Sequence, residues 1–391
     1  MLKDELKEIV KSQRESILTR DRGIRREKQI NLSAGFCAVI SGIRRCGKST
    51  LLLQLMPQHF YYLNLEDARL ASFELQDFLK LEEVFQELYG KGIFFFDEIQ
   101  NIPQWERYIR NLVDNKVKCV VTGSNASLLS KELGTKLTGR HLTTELFPFS
   151  YSEFLTFSRL SHSEESFKEY LSKGGFPEYL KVKNSEVLQH LLNDIISRDI
   201  IARLGIKDFK TLKELTIFLI SNIGKEFSYN KITRYFKLGS VNTLISYISY
   251  LEDSYLFFTV PRINHSFKKQ VISPKKIYCI DTGFARVNSV SLSNDDGRIL
   301  ENSIFLHLRR KYREIYYFKE EYECDFVIKE TLAVQACYHL TKENEEREIK
   351  GLKEAMKKLN IKKGLIVTLN QEERIGEVEV IPAWKFFTNK A

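Results

Sequence analysis

The residues best suited to chemistry form a glycine-rich segment near the start of the chain, Gly42-Ile-Arg-Arg-Cys-Gly-Lys-Ser49. It has the form GxxxxGK[ST], in which backbone amides wrap a phosphate at the positive end of a helix. The apolar run 36–40 before it predicts a buried parallel strand, and Thr50–Leu55 predicts the following helix. The residues expected to bind a nucleotide are Gly42, Ile43, Arg44, Arg45, Cys46, Gly47, Lys48, Ser49 and Thr50.

Within this loop two side chains have distinct predicted roles. Lys48 is expected to reach the β- and γ-phosphates of ATP, and Ser49 to place its hydroxyl on Mg²⁺. ATP and Mg²⁺ are therefore the predicted ligands of the site.

A second stretch, Ile93-Phe-Phe-Phe-Asp97-Glu98, predicts a central strand that ends in two acids. Carboxyl ends of parallel strands are where phosphate and metal lie in such sheets. Asp97 is expected to hold the Mg²⁺ shell, and Glu98 to polarise the attacking water. A water-activating acid favours ATP hydrolysis over phosphate transfer to a small molecule.

A third strand candidate, Lys118–Thr122, has a tip that presents Ser124 and Asn125. Either polar side chain is placed to sense the γ-phosphate, and Asn125 is a predicted catalytic residue. Arg140 is predicted to act as an arginine finger or sensor, with a structural salt bridge as the alternative. Arg198 has a similar pair of interpretations, as a second sensor or as a helix-surface ion pair.

Composition sets broad limits on the remaining functions. The chain has 391 residues, 43% hydrophobic and 28% charged, a net charge of +9 and a pI of about 9.0. No apolar run is long enough to span a bilayer, and the first residues form no secretory signal. The six cysteines lack a CxxC pair and predict buried free thiols in a reducing cytoplasm. The positive charge favours a polyanionic partner, although lysine surpluses are also common on ordinary surfaces.

Together these motifs resemble the predicted AAA-type P-loop ATPases of archaea and bacteria that carry a C-terminal domain of unknown function related to restriction-endonuclease folds. The resemblance covers nearly the whole chain. Its motifs are Gly42–Ser49, Phe94–Gln100, Thr122–Asn125, Gly139-Arg140, Pro148–Ser150, Gly174–Glu178, Ser197–Asp199, Ile277–Gly283 and Glu323–Val327. The resemblance implies an α/β P-loop sheet with a helical lid, a winged-helix module and a nuclease-like α/β end. It implies no cellular role.

Four domains are expected. They are an AAA-type ATPase domain with an N-terminal helical arm at 1–150, a helical lid at 151–208, a winged helix at 209–285 and a degenerate nuclease-like domain at 286–391. In the arm, the basic segment 20–28 is either solvated or brings an arginine near the nucleotide or a neighbouring subunit.

The winged-helix segment shows a mismatch in its charges. Two β runs flank a segment with four lysines, which suits DNA phosphates: Lys268, Lys269, Lys275 and Lys276. The presumed recognition helix carries no lysine or arginine, so base readout is doubtful and a structural or protein-binding role stays open.

In the C-terminal domain, Asp325 and Gln335 match the acidic positions of a restriction-endonuclease core, but Cys337 stands where that core needs a lysine. Without this cation, metal-dependent cleavage of phosphodiesters is not expected. The predicted function is an Mg²⁺-dependent ATPase switch or motor, with DNA as partner. The alternatives are a nucleotide-gated scaffold for a protein partner and, less favoured, an ATP-dependent nuclease. A homo-oligomer is compatible with these functions. A membrane partner is not expected.

Overall fold

A computed structural model describes residues 1–125, 139–206, 208–264, 266–290 and 295–388. The chain forms two compact units. The first comprises Met1–Phe147 with Asp253–Tyr255, and the second comprises Pro148–Glu252 with Leu256–Ala391. The predicted lid, winged helix and C-terminal domain all lie within the second unit, and their separation stays a prediction.

A five-stranded sheet organises the first unit, and each neighbouring pair of strands is parallel. The order across the sheet is β2-β3-β4-β1-β5. The strands are β1 (Cys37–Ser41), β2 (Phe60–Asn64), β3 (Ile93–Asp97), β4 (Cys119–Gly123) and β5 (His141–Glu145). Because the strands are parallel, their carboxyl ends meet at one edge. This sheet confirms the predicted mixed α/β class at the level of a P-loop-type core.

The helices of the first unit pack their apolar stripes on this sheet. They are α1 (Lys3–Leu18), α2 (Lys48–Leu55), α3 (Asp77–Tyr89) and α4 (Trp105–Asp114). Short 3₁₀ turns cover Ala68–Leu70 and Ile99–Asn101. Successive side chains of a strand point to opposite faces. Phe94 and Phe96 accordingly join one core cluster with residues of α1, α3 and α4, which explains why the run before Asp97 is apolar throughout.

The second unit begins with helices that match the predicted helical stretch. They are α5 (Tyr151–Ser158), α6 (Glu164–Lys173), α7 (Pro177–Val182), α8 (Glu186–Asp194) and the π-helical segment Ile195–Ala202. Ser150 caps α5 through a capping box with Glu153.

Next come three helices and a small antiparallel sheet. The helices are α9 (Phe209–Ile220), α10 (Tyr229–Tyr235) and α11 (Val241–Asp253). The strands are β6 (Glu226–Phe227), β7 (Phe257–Pro261) and β8 (Lys275–Cys279), in the order β6-β8-β7. A short helix, α12 (Phe267–Ile272), lies in the connection between β7 and β8. This order of elements is compatible with the predicted winged helix.

The rest of the unit is built on a six-stranded mixed sheet in the order β13-β14-β12-β11-β10-β9. Its strands are β9 (Tyr316–Lys319), β10 (Glu323–Ile328), β11 (Leu332–Ala336), β12 (Gly364–Thr368), β13 (Glu373–Ile375) and β14 (Val378–Pro382). Its helices are α13 (Thr282–Asn288), α14 (Asp296–Arg309), α15 (Glu345–Lys358) and α16 (Ala383–Phe386).

The cysteines are free and buried, as the sequence predicts. Across the described ranges, no helix combines the length and apolar character required to cross a bilayer.

Candidate functional site

The phosphate loop joins the end of β1 to the start of α2. Gly47 has φ +99° and Arg45 has φ +64°, so the loop takes left-handed backbone conformations that favour glycine. At Gly42 the constraint is steric, because a Cβ atom would lie 2.2 Å from the carbonyl oxygen of Leu146. The predicted strand–loop–helix is therefore present, and its two glycines are required by geometry.

Lys48 is buried at the first position of α2. Its Nζ donates to the carbonyl oxygens of Gly42 (3.1 Å) and Ile43 (3.3 Å) and lies 3.3 Å from Glu98 Oε1. Burial disfavours the ammonium, but Glu98 and Asp97 are among the neighbouring groups that together outweigh this and raise the pKa of Lys48. The loop thus holds one buried cation at the carboxyl edge of the sheet.

Asp97 ends β3 and is buried close to the same loop. Its carboxylate accepts hydrogen bonds from the hydroxyls of Thr122 and Ser49. Burial and the nearby charge of Glu98 raise its pKa, whereas Ser49, Thr122 and Lys48 oppose the rise. The structure therefore brings together Ser49 and Asp97, the two residues predicted to hold Mg²⁺.

Glu98 follows in a left-handed conformation with φ +53°. Its Oε2 accepts a hydrogen bond from Gln100 Nε2 at 2.6 Å, and its backbone N–H donates to Thr122 Oγ1 at 3.0 Å. Burial works against the carboxylate, but Lys48 and the hydrogen bond from Gln100 leave its pKa below the ordinary value. Glu98 is thus an ionised acid beside the phosphate loop.

Thr122 and Gln100 are positioning residues that the sequence analysis did not single out for a role. Thr122 bridges the two acids, since its hydroxyl donates to Asp97 and accepts from the N–H of Glu98. The sequence contained a signal for Thr122. The strand of Thr122 follows β3 in the chain, and a hydroxyl at the second-to-last residue of a strand parallel to β3 faces the acids at the end of β3.

Ser124 and Asn125 lie just beyond the end of β4, which is flanked by β1 and β3 in the sheet. Both are buried, and Ser124 Oγ has no hydrogen-bond partner within the described protein. The two residues are at the expected edge of the sheet, and their sensor role stays a prediction.

Arg140 does not lie next to the phosphate loop of its own chain. It immediately precedes β5, whose His141 is paired in parallel with Cys37 at the start of β1, whereas the loop follows the other end of that strand. Arg140 Nη2 instead lies 2.5 Å from Asp114 Oδ1. This contact is the structural salt bridge that was the alternative interpretation, and the role of Arg140 as an arginine finger or sensor stays a prediction. Arg198 lies 3.5 Å from Asp194 and is exposed on its helix.

Arg26, from the basic arm, is the cation that the sequence left unassigned. It is buried, and it donates from Nη1 to Cys46 O at 2.9 Å and from Nη2 to Phe147 O at 2.7 Å. The arm is also tied to α2, because Gln54 Nε2 donates to the carbonyl oxygens of Arg22 and Ile24. The arm is thus packed against the phosphate loop.

A cavity of about 690 Å³ opens between this arm and α2. Its lining includes Arg22, Arg25, Arg26, Lys28, Leu51, Gln54 and Leu55. It is large enough for a nucleoside and lies one turn beyond the phosphate loop, so it is the candidate pocket for the base.

In the second unit the predicted basic wing is incomplete. Lys276 was expected to face DNA, but its side chain is only 3% exposed. Its Nζ lies 3.0 Å from Glu301 Oε1, 2.7 Å from Glu323 Oε1 and 2.8 Å from Asp325 Oδ1. The prediction for Lys276 is wrong, because this face of β8 is covered by α14 and β10.

This acidic cluster also changes the interpretation of the nuclease-like end. Gln335 Oε1 accepts from the N–H of Asp325, and Cys337 is buried just beyond β11. Lys276 of β8, 61 residues before Cys337 in the chain, is thus the cation paired with Asp325. Burial and Asp325 raise the pKa of Glu301 to about 7, and Lys276 limits that rise. In the described ranges, no group of three or more His, Cys, Asp or Glu side chains is arranged to hold a metal ion.

Two family models match parts of the chain. A model described as an AAA domain matches residues 36–155, and a model described as a domain of unknown function matches residues 164–295. A solved structure of a DNA polymerase III gamma subunit-related protein from Thermotoga maritima is 14% identical, covering 63% of this chain and 99% of that one. Its TM-score of 0.26 is too low to support an inference.

Two full-length relatives are more informative. An uncharacterized protein of Haemophilus influenzae is 30% identical over 83% of this chain and 88% of its own length. The uncharacterized protein MJ1544 of Methanocaldococcus jannaschii is 36% identical over 93% of this chain and 90% of its own length. With the AAA domain at residues 36–155, the chain belongs to the family of AAA-domain proteins that includes MJ1544.

Proposed function

We propose that this protein is an Mg²⁺-dependent ATPase that works as a switch or motor, with DNA as its partner. One observation carries the proposal: the ionised carboxylate of Glu98 lies 3.3 Å from Lys48 of the phosphate loop. A protein that only binds ATP has no use for a water-activating acid at this point.

The binding half of the proposal rests on the phosphate loop and its surroundings. Backbone amides of the loop and the positive end of α2 favour the phosphates of ATP. Lys48 adds a buried charge, and the cavity beside α2 is the proposed pocket for the base.

The residues near Asp97 fit Mg²⁺. This ion prefers oxygen ligands, takes one or two from protein and keeps several waters. The hydroxyl of Ser49 and the carboxylate of Asp97 are two such oxygens, already joined by a hydrogen bond. Mg²⁺ held there would neutralise negative charge on the transferred phosphate.

The catalytic part of the proposal gives different roles to the two neighbouring acids. Glu98 accepts a proton from, or orients, the attacking water, and its pKa below the ordinary value keeps it deprotonated at neutral pH. Gln100 and Thr122 fix the direction of its carboxylate and backbone. Asp97 stays with the metal, because its carboxylate is directed to Ser49 and Thr122.

The test separates binding from hydrolysis. Glu98→Gln keeps the shape and removes the base, so ATP affinity should be retained while turnover falls by about 10²–10⁴-fold. Asp97→Asn is the matched change one residue away, and it should weaken the Mg²⁺-dependent part of ATP binding. Affinity is measured by calorimetry with and without Mg²⁺, and turnover by phosphate release. Equal turnover in wild type and Glu98→Gln would place the catalytic residue elsewhere.

DNA is proposed as partner from the net charge of +9 and the exposed lysines Lys268 and Lys269 on α12. The alternative, a nucleotide-gated scaffold with slow hydrolysis, is favoured by α11. This helix carries no lysine or arginine and leaves Ile245 44% exposed. Stimulation of ATP turnover by single- or double-stranded DNA would support the first function, and its absence the second.

A further inference from the structure

A basic groove in the second unit has no counterpart in the sequence motifs. It has a volume of about 730 Å³ and is formed by the end of β7, α12, β9, the β10–β11 turn and the end of α15. Five of its lining side chains are cationic and two are acidic: Arg262, Lys269, Lys319, Lys329 and Lys358, against Glu320 and Glu330. The cations come from distant parts of the chain, so only the fold brings them together.

Three of these cations are not neutralised by neighbouring carboxylates. Lys319 lies 3.1 Å from Glu226 and 3.0 Å from Glu323, and Lys358 is paired with Glu320 and Glu354. Among the described residues, Arg262, Lys269 and Lys329 have no carboxylate within ion-pair distance. Lys329 lies over the ring of Tyr316 at 4.8 Å from its centroid.

The helix α12, which supplies Lys269, is unusual because none of its residues is buried. Phe267 is 78% exposed, Ile272 is 73% exposed and Val271 is 53% exposed. Burying such side chains is favourable, so three exposed apolar side chains on the helix that supplies Lys269 to the groove indicate a binding surface.

We propose that the groove binds the phosphate backbone of single-stranded nucleic acid, and that Phe267, two residues before Lys269 on α12, stacks on a base. Proteins that hold single strands combine a positive groove along the backbone with aromatic side chains under the bases. A duplex would keep its bases stacked inside and offer nothing to Phe267. This inference deepens the proposed action on DNA and rests on that partner class, but not on ATP hydrolysis.

The shape of the surface distinguishes this partner from a membrane. Cations lining a concave cavity cannot all reach a flat sheet of lipid headgroups. A flexible strand can follow the groove and place successive phosphates against Arg262, Lys269 and Lys329.

The first experiment tests the phosphate contacts. The probe is a fluorescein-labelled oligo(dT) of about 15 nucleotides, long enough to cover a site of this size, and anisotropy is followed across a salt series. The triple change Arg262→Gln, Lys269→Gln and Lys329→Gln should weaken binding and flatten the log–log salt slope by about 2, from roughly 0.7 per phosphate on a single strand. The matched control removes the same charge from exposed lysines outside the groove: Lys210→Gln, Lys342→Gln and Lys353→Gln.

The second experiment tests stacking. Phe267→Ala should lower affinity by roughly 5- to 150-fold with an unchanged salt slope, because base–aromatic stacking is lost and no charge is removed. Tyr235→Ala is the control, since Tyr235 is a 72% exposed aromatic residue outside α12. Circular dichroism and basal ATP turnover should match wild type in every variant.

Each outcome decides one question. If oligo(dT) binds but the triple variant and Phe267→Ala behave as their controls do, the groove is not the site, and DNA remains the partner through another surface. If neither oligo(dT) nor duplex binds at low salt, the DNA part of the proposed function fails together with this inference, while ATP hydrolysis is tested independently. Binding to phosphatidylserine vesicles without binding to oligo(dT) would overturn the inference in favour of a membrane surface.

Discussion

Replacing Lys276 with methionine should destabilise the second unit strongly. Its ammonium contacts three carboxylates at 2.7–3.0 Å, and its side chain is 3% exposed. Methionine keeps most of the volume but leaves Glu301, Glu323 and Asp325 without their shared cation. Removing one partner of a buried ion pair typically costs about 3–5 kcal/mol, and we expect a loss in that range at pH 8.

The loss should shrink as the pH falls. Lys276 lowers the folded-state pKa values of Glu301 and Glu323, so both rise in its absence, and the folded variant gains stability at low pH by binding protons that the unfolded chain does not hold. The pKa of Glu301 is already raised to about 7 in the wild type. At pH values between the ordinary pKa of a glutamate and 7, Glu301 is protonated in the folded state but not in the unfolded state. The stability that this proton contributes is lost as the pH rises through 7. The cost of Lys276→Met should therefore be clearly smaller at pH 5.5 than at pH 8.

The assay uses the two tryptophans of the chain, Trp105 in the first unit and Trp384 in the second. In a Trp105→Phe background, the fluorescence of Trp384 during urea unfolding reports the second unit alone. The matched control is Lys275→Met, on the adjacent residue of β8. Lys275 is only partly buried and lies 5.6 Å from the ring of Tyr229, so its loss should cost less than about 1 kcal/mol. Equal midpoints for the two variants at pH 8 would refute the ion cluster as a source of stability.

Three further outcomes are expected. Lys48→Ala should abolish ATP binding or weaken it by orders of magnitude, because the phosphate loop loses its buried cation. An unchanged ATP affinity by calorimetry would contradict the phosphate-loop assignment. Burial lowers the pKa of His307 to about 3, with help from Lys311 and Arg310. The neutral imidazole of His307 therefore contributes fully to the stability of the fold above its ordinary pKa of 6.5, and this contribution is lost as the pH falls. The unfolding free energy of the second unit should then decline less steeply with falling pH in His307→Phe than in wild type. Wild-type protein should not cleave plasmid DNA with Mg²⁺ or Mn²⁺, because Lys276 sits among the acids where a metal would bind; nicking that disappears in Asp325→Ala would reverse this view.

Most of the first unit follows from local sequence. The strand before the phosphate loop and the run before Asp97 are apolar throughout, and the strand before Ser124 is apolar at its centre, which predicts parallel strands covered on both faces. The structure has all three, with ends within about one residue of those predicted. Since the carboxyl ends of parallel strands share an edge, the sequence also predicted that Lys48, Ser49, Asp97 and Glu98 would meet.

For residues outside such motifs, the sequence predicted only alternative roles. Arg140 precedes β5 and therefore lies at the amino end of the sheet, a fact set by the pairing of His141 with Cys37. No sequence pattern indicates which arginine of the basic arm turns inward. It is Arg26, which donates hydrogen bonds to Cys46 of the loop and to Phe147.

The sequence by itself determined a nucleotide site, because a glycine-rich turn and two acids at a strand end act through backbone geometry that local residues impose. Only the tertiary structure decided which lysine of β8 is buried. Lys275 and Lys276 are neighbours of the same type, and a strand directs them to opposite faces. Which face is covered depends on α14 and β10, which lie further along the chain. Packing against those elements made one lysine a buried counter-ion of three carboxylates and left the other partly in solvent.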